Sequence, residues 1–199
     1  MPTTNADLTL GRGDALVIAD IQLDFLPGGA LGVAGGDEVI GPANRAIECF
    51  RSRGLPVIVS RDWHPRGHCS FQESGGPWPE HCVRDTPGAA FAPQFAVPAD
   101  GIVISKGTLV DHEAYSAFEG TPLGAVLAQE HVNRLFVGGL TTDYCVLSTV
   151  LDARKLGFAV VVLDDAIRAV NASPGDGEKA LQRMRDAGAQ FAKTTELAR

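Results

Sequence analysis

The sequence lacks any apolar run of the roughly 18 residues that a membrane-spanning helix requires, so we expect no membrane partner. It also lacks a block rich in lysine and arginine, and its formal net charge is -7, which argues against nucleic acid as a partner. The N-terminal stretch has no basic start followed by an apolar core and a small-residue cleavage site, which argues against a secretory signal. We therefore predict a cytoplasmic protein.

Cysteine is scarce, with four residues among 199: Cys49, Cys69, Cys82 and Cys145. No two of them form a CxxC pair, so a thioredoxin-like redox motif is absent. In a cytosolic chain of this size, cysteines are expected to be reduced. Some of them are expected to act only as small buried hydrophobic residues.

The composition is that of a folded globular protein, because 45% of the residues are hydrophobic and 21% are charged. A chain of 199 residues is long enough to bury a sizeable core. The sequence contains no internal repeat, no low-complexity tract and no linker that would divide it. We predict a single domain over residues 1–199.

Short apolar runs alternate with amphipathic stretches along the chain. The apolar runs predict strands at 15–20, 55–62, 102–106, 134–140, 158–167 and 190–193. The amphipathic stretches predict helices at 37–54, 142–157 and 173–189, the last with Ser173 as N-cap and Pro174 at the first helical position. Continuous apolar strands that alternate with helices are typical of a parallel sheet covered on both faces. The predicted fold is a doubly wound, three-layer α-β-α domain with a mainly parallel six-stranded sheet.

Reactive side chains stand where the predicted strands end: Asp20, Asp62, Lys106 and, in the turn after the fourth strand, Cys145. In parallel sheets the carboxyl ends of the strands form the ligand site, so these four groups are expected to meet. Cysteine attacks as a thiolate, which a lysine ammonium and a helix N-terminus would stabilise. An aspartate can take up the thiol proton, and backbone N–H groups can bind a developing oxyanion. Each residue alone would more often be a cap or a solvated group, and the joint occurrence favours catalysis.

The region 62–101 is rich in proline, glycine and histidine and has no long regular element, which is typical of a functional loop. Asp62, His64 and His68 follow an Asp-x-His-x3-His spacing, and His81 comes later in the same loop. One oxygen and three nitrogens suit a zinc, manganese or iron ion.

Two alternatives remain for this loop on the spacing alone. The histidines can be exposed polar residues, or Cys69 or Cys82 can replace a histidine as ligand. The two remaining histidines, His112 and His131, are predicted to lie on the surface.

The reactive residues at the strand ends and the candidate metal ligands occur together in one set of motifs. These motifs extend over nearly the whole chain and include ALVIADIQLDFLPGGALGV, DWHPRGHCSF, WPEHCV, YSAFEG and GGLTTDYCV. With these motifs the chain closely resembles the nicotinamidases, which belong to the isochorismatase-like cysteine hydrolases. The resemblance implies a metal-dependent amidase that acts on nicotinamide or pyrazinamide. The sequence leaves open whether its physiological role is NAD salvage. It implies one divalent metal ion, zinc before manganese or iron.

The resemblance also assigns roles to residues. It implies a catalytic triad of Asp20, Lys106 and Cys145. It also implies a metal site whose ligands are Asp62, His64, His68 and His81. It implies an oxyanion hole from the amides of Thr141 and Cys145, after a cis peptide between Leu140 and Thr141. Ser70 would support the metal ligands. The aromatic pocket for the substrate ring would be lined by Phe25, Trp78 and Tyr115.

Three alternative functions stay open at this point. The first is a related amidase that acts on another heteroaromatic amide or on a carbamoyl group. The second is a non-catalytic metal-binding scaffold, which the intact triad disfavours. The third is an isochorismatase-type enzyme that acts on an enol ether, which Cys145 disfavours. The sequence leaves open the metal's identity and whether the chain forms a homo-oligomer.

Overall fold

Six strands form the centre of the computed structural model, which describes residues 8–197. They are β1 (Asp14–Ala19), β2 (Val57–Asp62), β3 (Ile102–Lys106), β4 (Arg134–Leu140), β5 (Ala159–Arg168) and β6 (Gln190–Ala192). The strand order is β3-β2-β1-β4-β5-β6, and every neighbouring pair is parallel. The predicted six-stranded parallel sheet is thereby confirmed. Residues 1–7, which contribute to the argument against a signal sequence, lie outside the described residues.

Among the described residues, four α-helices cover the sheet: α1 (Ile40–Arg51), α2 (Leu123–Gln129), α3 (Leu147–Lys155) and α4 (Asp176–Asp186). Alternate residues of β1 point to opposite faces, so Leu16 packs with α1 in one cluster while Val17 packs with α2, α3 and α4 in another. Both clusters are almost fully buried. The three-layer arrangement follows, because each face of an apolar strand requires its own cover. In the part of the chain that the structure describes, no helix is both long and apolar enough to span a bilayer.

Several helix boundaries differ from the predictions, and one short helix was not predicted. The region predicted as one helix from residue 37 begins with a 3-10 turn (Gly36–Val39), and α1 places Pro42 in its first turn, where the missing N–H costs little. Ser173 is not the N-cap of α4, because Gly175 flanks the helix in the left-handed conformation at φ 82°. Instead, the backbone N–H of Ser173 donates to the carboxylate of Asp176. The seven-residue α2 was not predicted, because it is too short to show a helical period.

The strand order places a crevice beside β1. The chain runs outward from β1 through β2 to β3, and then returns to form β4 on the other side of β1. Adjacent strands whose connections depart in opposite directions leave an open space at their carboxyl ends. The ends of β1, β2, β3 and β4 therefore surround one site.

Candidate active site

The ammonium of Lys106 connects the reactive groups at the strand ends. Its Nζ lies 3.0 Å from Asp20 Oδ2 and 3.4 Å from Cys145 Sγ, and it donates a short hydrogen bond to Asp62 Oδ1. It also donates to the carbonyl of Ala114 at 3.3 Å. Lys106 is 1% exposed, so a charge inside the protein is compensated by two carboxylates. The four groups expected to meet at this edge of the sheet do meet.

Asp20 is oriented by a residue that the sequence did not single out. Ser60 on β2 donates from Oγ to Asp20 Oδ1 at 2.7 Å, and the Asp20 amide donates to the Ser60 carbonyl. The other oxygen, Oδ2, forms an ion pair with the Lys106 ammonium at 3.0 Å. Burial raises the pKa of Asp20, although the charge of Lys106 opposes the rise. The carboxylate is thus fixed in position and can still accept a proton.

Cys145 lies in a single π-helical turn (Thr142–Val146) that leads into α3. The amides of Tyr144 and Val146 both donate to the carbonyl of Thr141, which widens the turn. Burial raises the pKa of the Cys145 thiol well above its ordinary value, and Asp20 and Asp62 raise it further, while Lys106 opposes them. The lysine and the helix N-terminus were predicted to lower the pKa of this thiol, but the effects that raise it are larger. A protonated thiol of this kind needs a base to react, and Asp20 belongs to the same group of donor atoms.

The peptide bond between Leu140 and Thr141 is cis, as the resemblance implied. It lies directly before the turn that carries Cys145. Thr141 is buried and lines the cavity that also holds Cys145.

Three of the four predicted metal ligands converge. One atom from each of Asp62, His64 and His81 lies within 4.8 Å of the others, and all three residues are buried. His64 Nδ1 donates to the carbonyl of Gly107 at 3.0 Å, and His81 Nδ1 donates to that of Pro79 at 2.8 Å. Each histidine is therefore left with Nε2 as the nitrogen for a metal, the usual arrangement of metal-binding histidines. The donor set fits a divalent metal ion.

The charges within this group also suit a cation. Burial by itself would raise the pKa of Asp62, but Lys106 and His64 together lower it, so the carboxylate is ionised. Burial lowers the pKa of His81 and of His68, which keeps both imidazoles neutral, as metal coordination requires. Burial would also lower the pKa of His64, but the neighbouring Asp62 carboxylate raises it. A bound dication would attract the Asp62 carboxylate in place of the proton on His64.

His68 is placed differently from the other predicted ligands. Its ring stacks on that of His64 with centroids 4.1 Å apart, but both of its nitrogens have protein partners. Nε2 donates to the carbonyl of His112 at 3.1 Å, and Nδ1 accepts from Ser70 Oγ at 2.7 Å. Its donor atom groups with those of His64 and Glu113. The contact with Ser70 agrees with the supporting position that the resemblance implied, whereas the ligand role of His68 stays a prediction.

Gly107 allows the loop that carries the predicted metal ligands (residues 62–101, the metal loop) to pack closely against the end of β3. It follows β3 with φ of 60°, and a Cβ at this position would lie 2.4 Å from Cε1 of His64. Only glycine both adopts this conformation readily and leaves room for the imidazole ring. The dipeptide Lys106-Gly107 thus places the catalytic-site lysine next to a residue that contacts His64, one of the predicted metal ligands.

A cavity opens beside Cys145 and the metal group. Its walls include the three aromatic residues predicted for the pocket, Phe25, Trp78 and Tyr115, together with Tyr144, which the sequence did not single out. Trp78 Nε1 donates to the Tyr115 hydroxyl at 2.9 Å, and Tyr144 packs edge-on against Trp78 with centroids 4.9 Å apart. Burial raises the pKa of Tyr115 to about 12, so its hydroxyl stays neutral. These walls suit a flat aromatic ligand.

Two further residues that the sequence did not single out hold the metal loop. The Gln22 side chain accepts from the Asp62 amide at 2.8 Å and donates to the carbonyls of Asp62 and Ala89. Asp24 accepts from the amide of Cys82, the residue after His81, at 2.7 Å. Both lie in the stretch DIQLDF that directly follows β1. His112 and His131 are exposed, as predicted.

Comparisons with known proteins agree with this geometry. Residues 14–196 match the isochorismatase domain family. The nicotinamidase of Escherichia coli (strain K12) is 40% identical over 196 residues, covering 88% of this chain and 92% of that protein. The pyrazinamidase of Pyrococcus horikoshii, solved in complex with zinc, is 46% identical with a TM-score of 0.87, covering 91% and 99% of the two chains. PnC1 from L. infantum, solved with nicotinate, is 36% identical with a TM-score of 0.86, covering 94% and 96%.

Proposed function

The chain belongs to the isochorismatase domain family, and from that premise we propose that it is a metal-dependent cysteine amidohydrolase that converts nicotinamide to nicotinate and ammonia. The observation that carries the proposal is the position of the Cys145 thiol. It lies 3.4 Å from the Lys106 ammonium, in one group with Asp20, and it faces the aromatic cavity. The nicotinamidase and nicotinate-bound relatives support the choice of substrate.

The first half of the reaction makes a thioester. Asp20 accepts the thiol proton of Cys145, and Sγ forms a bond to the amide carbon. The carbonyl electron pair moves to oxygen, which the N–H groups of Thr141 and Cys145 stabilise. When the oxyanion collapses, the carbon–nitrogen bond breaks, and Asp20 returns the proton to the nitrogen, which leaves as ammonia. Lys106 offsets the negative charge that moves between Asp20 and the sulfur.

The second half releases the acid. Asp20 takes a proton from a water molecule, whose oxygen attacks the thioester carbon while the same backbone N–H groups hold the oxyanion. The carbon–sulfur bond then breaks, and the proton returns to Cys145. Nicotinic acid leaves and loses its proton to solvent as nicotinate, and the thiol and the carboxylate are restored.

The metal centre is proposed to consist of Asp62, His64 and His81, with His68 as the fourth predicted ligand. A divalent ion held there supplies a Lewis acid toward a pyridine-type ring nitrogen. We propose zinc, because the P. horikoshii relative was solved with zinc and because one carboxylate with several imidazoles suits that ion. Manganese and iron are the alternatives that the donor types allow.

The walls of the cavity bear on the substrate class. Trp78, Tyr115 and Tyr144 contact one another, while Phe25 packs against the ring of His81 with centroids 5.7 Å apart. A flat six-membered ring can be enclosed between these side chains. Pyrazinamide, which differs from nicotinamide by one ring atom, is proposed as a second substrate.

Ammonia release by the purified, metal-loaded protein tests the proposal. We expect release from nicotinamide and pyrazinamide, and slower release from benzamide, which has no ring nitrogen. Cys145→Ala should reduce the rate by about 10³-fold or more. Cys49→Ala is the matched control and should retain full activity, because Cys49 is half-buried and bonds to Leu197 far from the site.

The alternatives predict different results in the same assay. Release from a carbamoyl compound but not from nicotinamide would indicate a related amidase. Metal binding without release from any amide would indicate a non-catalytic scaffold. Either result would overturn the nicotinamidase proposal.

A further inference from the structure

Glu113 stands beside the metal group, although neither the spacing of the motifs nor the resemblance assigns it a role. It is half-buried, lines the cavity that holds Cys145, and offers a carboxylate oxygen within 4.8 Å of donor atoms of His64 and His68. Its negative charge also acts on His81. The carboxylate therefore faces the metal loop.

The backbone around Glu113 fixes the carboxylate in this position. Its Oε1 accepts from the amide of Ala114 at 2.8 Å, and this is the one hydrogen bond that the carboxylate makes within residues 8–197. The carbonyl before it, from His112, accepts from His68, and the carbonyl after it, from Ala114, accepts from Lys106. Three consecutive residues thus contact both the metal loop and the catalytic lysine. The segment is anchored at both ends, and the carboxylate retains an oxygen for a further partner.

The two groups of potential ligands share one residue, and this limits them to a single ion. His64 belongs both to the group with Asp62 and His81 and to the group with His68 and Glu113. Its Nδ1 is bonded to Gly107, so Nε2 is the one nitrogen that it can offer to either group. One nitrogen lone pair binds one ion, so an ion bound by His64 Nε2 is the one ion that both groups can share.

We propose that Glu113 is a further protein donor to this metal ion, on the side where His68 lies. This inference rests on the metal-binding part of the proposed function. Asp62 shares its negative charge between Lys106 and the ion, which leaves part of the dication's charge uncompensated. A second carboxylate supplies the missing charge. Since carboxylate oxygens favour harder ions, Glu113 also shifts the preference of the centre from zinc toward manganese.

Measurement of metal affinity in Glu113→Gln tests the proposal without reference to turnover. Glutamine keeps an oxygen that accepts from the Ala114 amide, so the loop is retained while the charged donor is lost. Asp111→Asn is the matched control, because it removes an exposed carboxylate two residues away that does not line the cavity. Glu113→Asp keeps the charge but withdraws it from the ion. Competition with a chelator gives the dissociation constants for Zn²⁺ and Mn²⁺, and the spectrum of bound Co²⁺ reports the coordination.

We expect Glu113→Gln to weaken Mn²⁺ binding by about 10- to 100-fold, with a smaller loss for Zn²⁺ and a changed Co²⁺ spectrum. Glu113→Asp should lie between this variant and the wild type, and Asp111→Asn should match the wild type. Unchanged affinities and an unchanged spectrum in Glu113→Gln would overturn the proposed role of Glu113 but not the proposed metal centre. Equal losses in Glu113→Gln and Asp111→Asn would also overturn it, because they would indicate a long-range charge effect. Failure of the wild type to bind any divalent ion would instead overturn the proposed metal centre.

Discussion

Ser60 holds the carboxylate of Asp20, and the variant Ser60→Ala therefore tests whether Asp20 is the general base. The two side chains are fully buried and joined by a hydrogen bond of 2.7 Å. A hydrogen bond to a charged group is worth about 1.5–3 kcal/mol, which corresponds to roughly 10- to 100-fold in rate if it is lost only from the ionised enzyme. We expect a decrease of that size in kcat/KM near neutral pH.

The pH dependence of kcat/KM provides the sharper readout. The Ser60 hydroxyl bonds to the charged form of Asp20 and lowers the pKa of that carboxyl, so its removal raises the pKa. A base must be ionised to accept a proton, and the acid limb of the profile should therefore move to higher pH, with activity recovering as the pH increases. Ser105→Ala is the control, because that hydroxyl contacts Arg61 instead. An acid limb at the wild-type pH in Ser60→Ala would refute the reasoning.

Three further predictions concern the same buried groups. Lys106→Met leaves Asp20 and Asp62 without their cation, so urea unfolding of the metal-free protein should show a loss of about 3–5 kcal/mol, and a loss below about 1 kcal/mol would contradict the pairing. Gln22→Ala removes the partners of the Asp62 backbone, and chelator competition should show metal affinity lowered by about 10- to 100-fold; an unchanged affinity would count against this support. Because burial raises the pKa of Cys145, its alkylation by iodoacetamide in the metal-free protein should still accelerate above about pH 9, whereas an ordinary thiol levels off there and would disprove the shift.

The sheet could be predicted because its strands are buried on both faces. Such strands are continuous apolar runs, and the predicted strands at 102–106 and 134–140 coincide with β3 and β4. The position of the reactive groups followed from the same fact, since parallel strands bring their carboxyl ends to one edge. The family and the fold class predicted from the sequence are both confirmed.

Local geometry was harder to predict from the sequence. The helical period that starts at Thr142 does not distinguish an α-helix from a π turn, because the turn forms through contacts of Thr141 with the following amides. The pKa of Cys145 was expected to fall because of the nearby Lys106 ammonium and the helix N-terminus. Its direction depends on complete burial and on two carboxylates, which become visible only when the strands are assembled.

Residues that support the site were also missed, for a related reason. Ser60 and Gln22 are ordinary polar residues in or beside a strand, and their sequence neighbours do not indicate their partners. Each bonds to a residue 40 positions away, across the junction of β1 and β2. A pattern of spacing within one segment cannot report a contact that depends on the register between two strands.

Cys145 is proposed to carry the acyl group during turnover, and rapid-quench mass spectrometry can detect that group. Metal-loaded protein is mixed with nicotinamide, quenched within the first turnover and mapped by peptide. We expect one nicotinoyl group on the peptide that contains Cys145, formed as ammonia is released, and no such adduct in Cys145→Ala. Acylation of another residue, or ammonia release by Cys145→Ala at the wild-type rate, would contradict it.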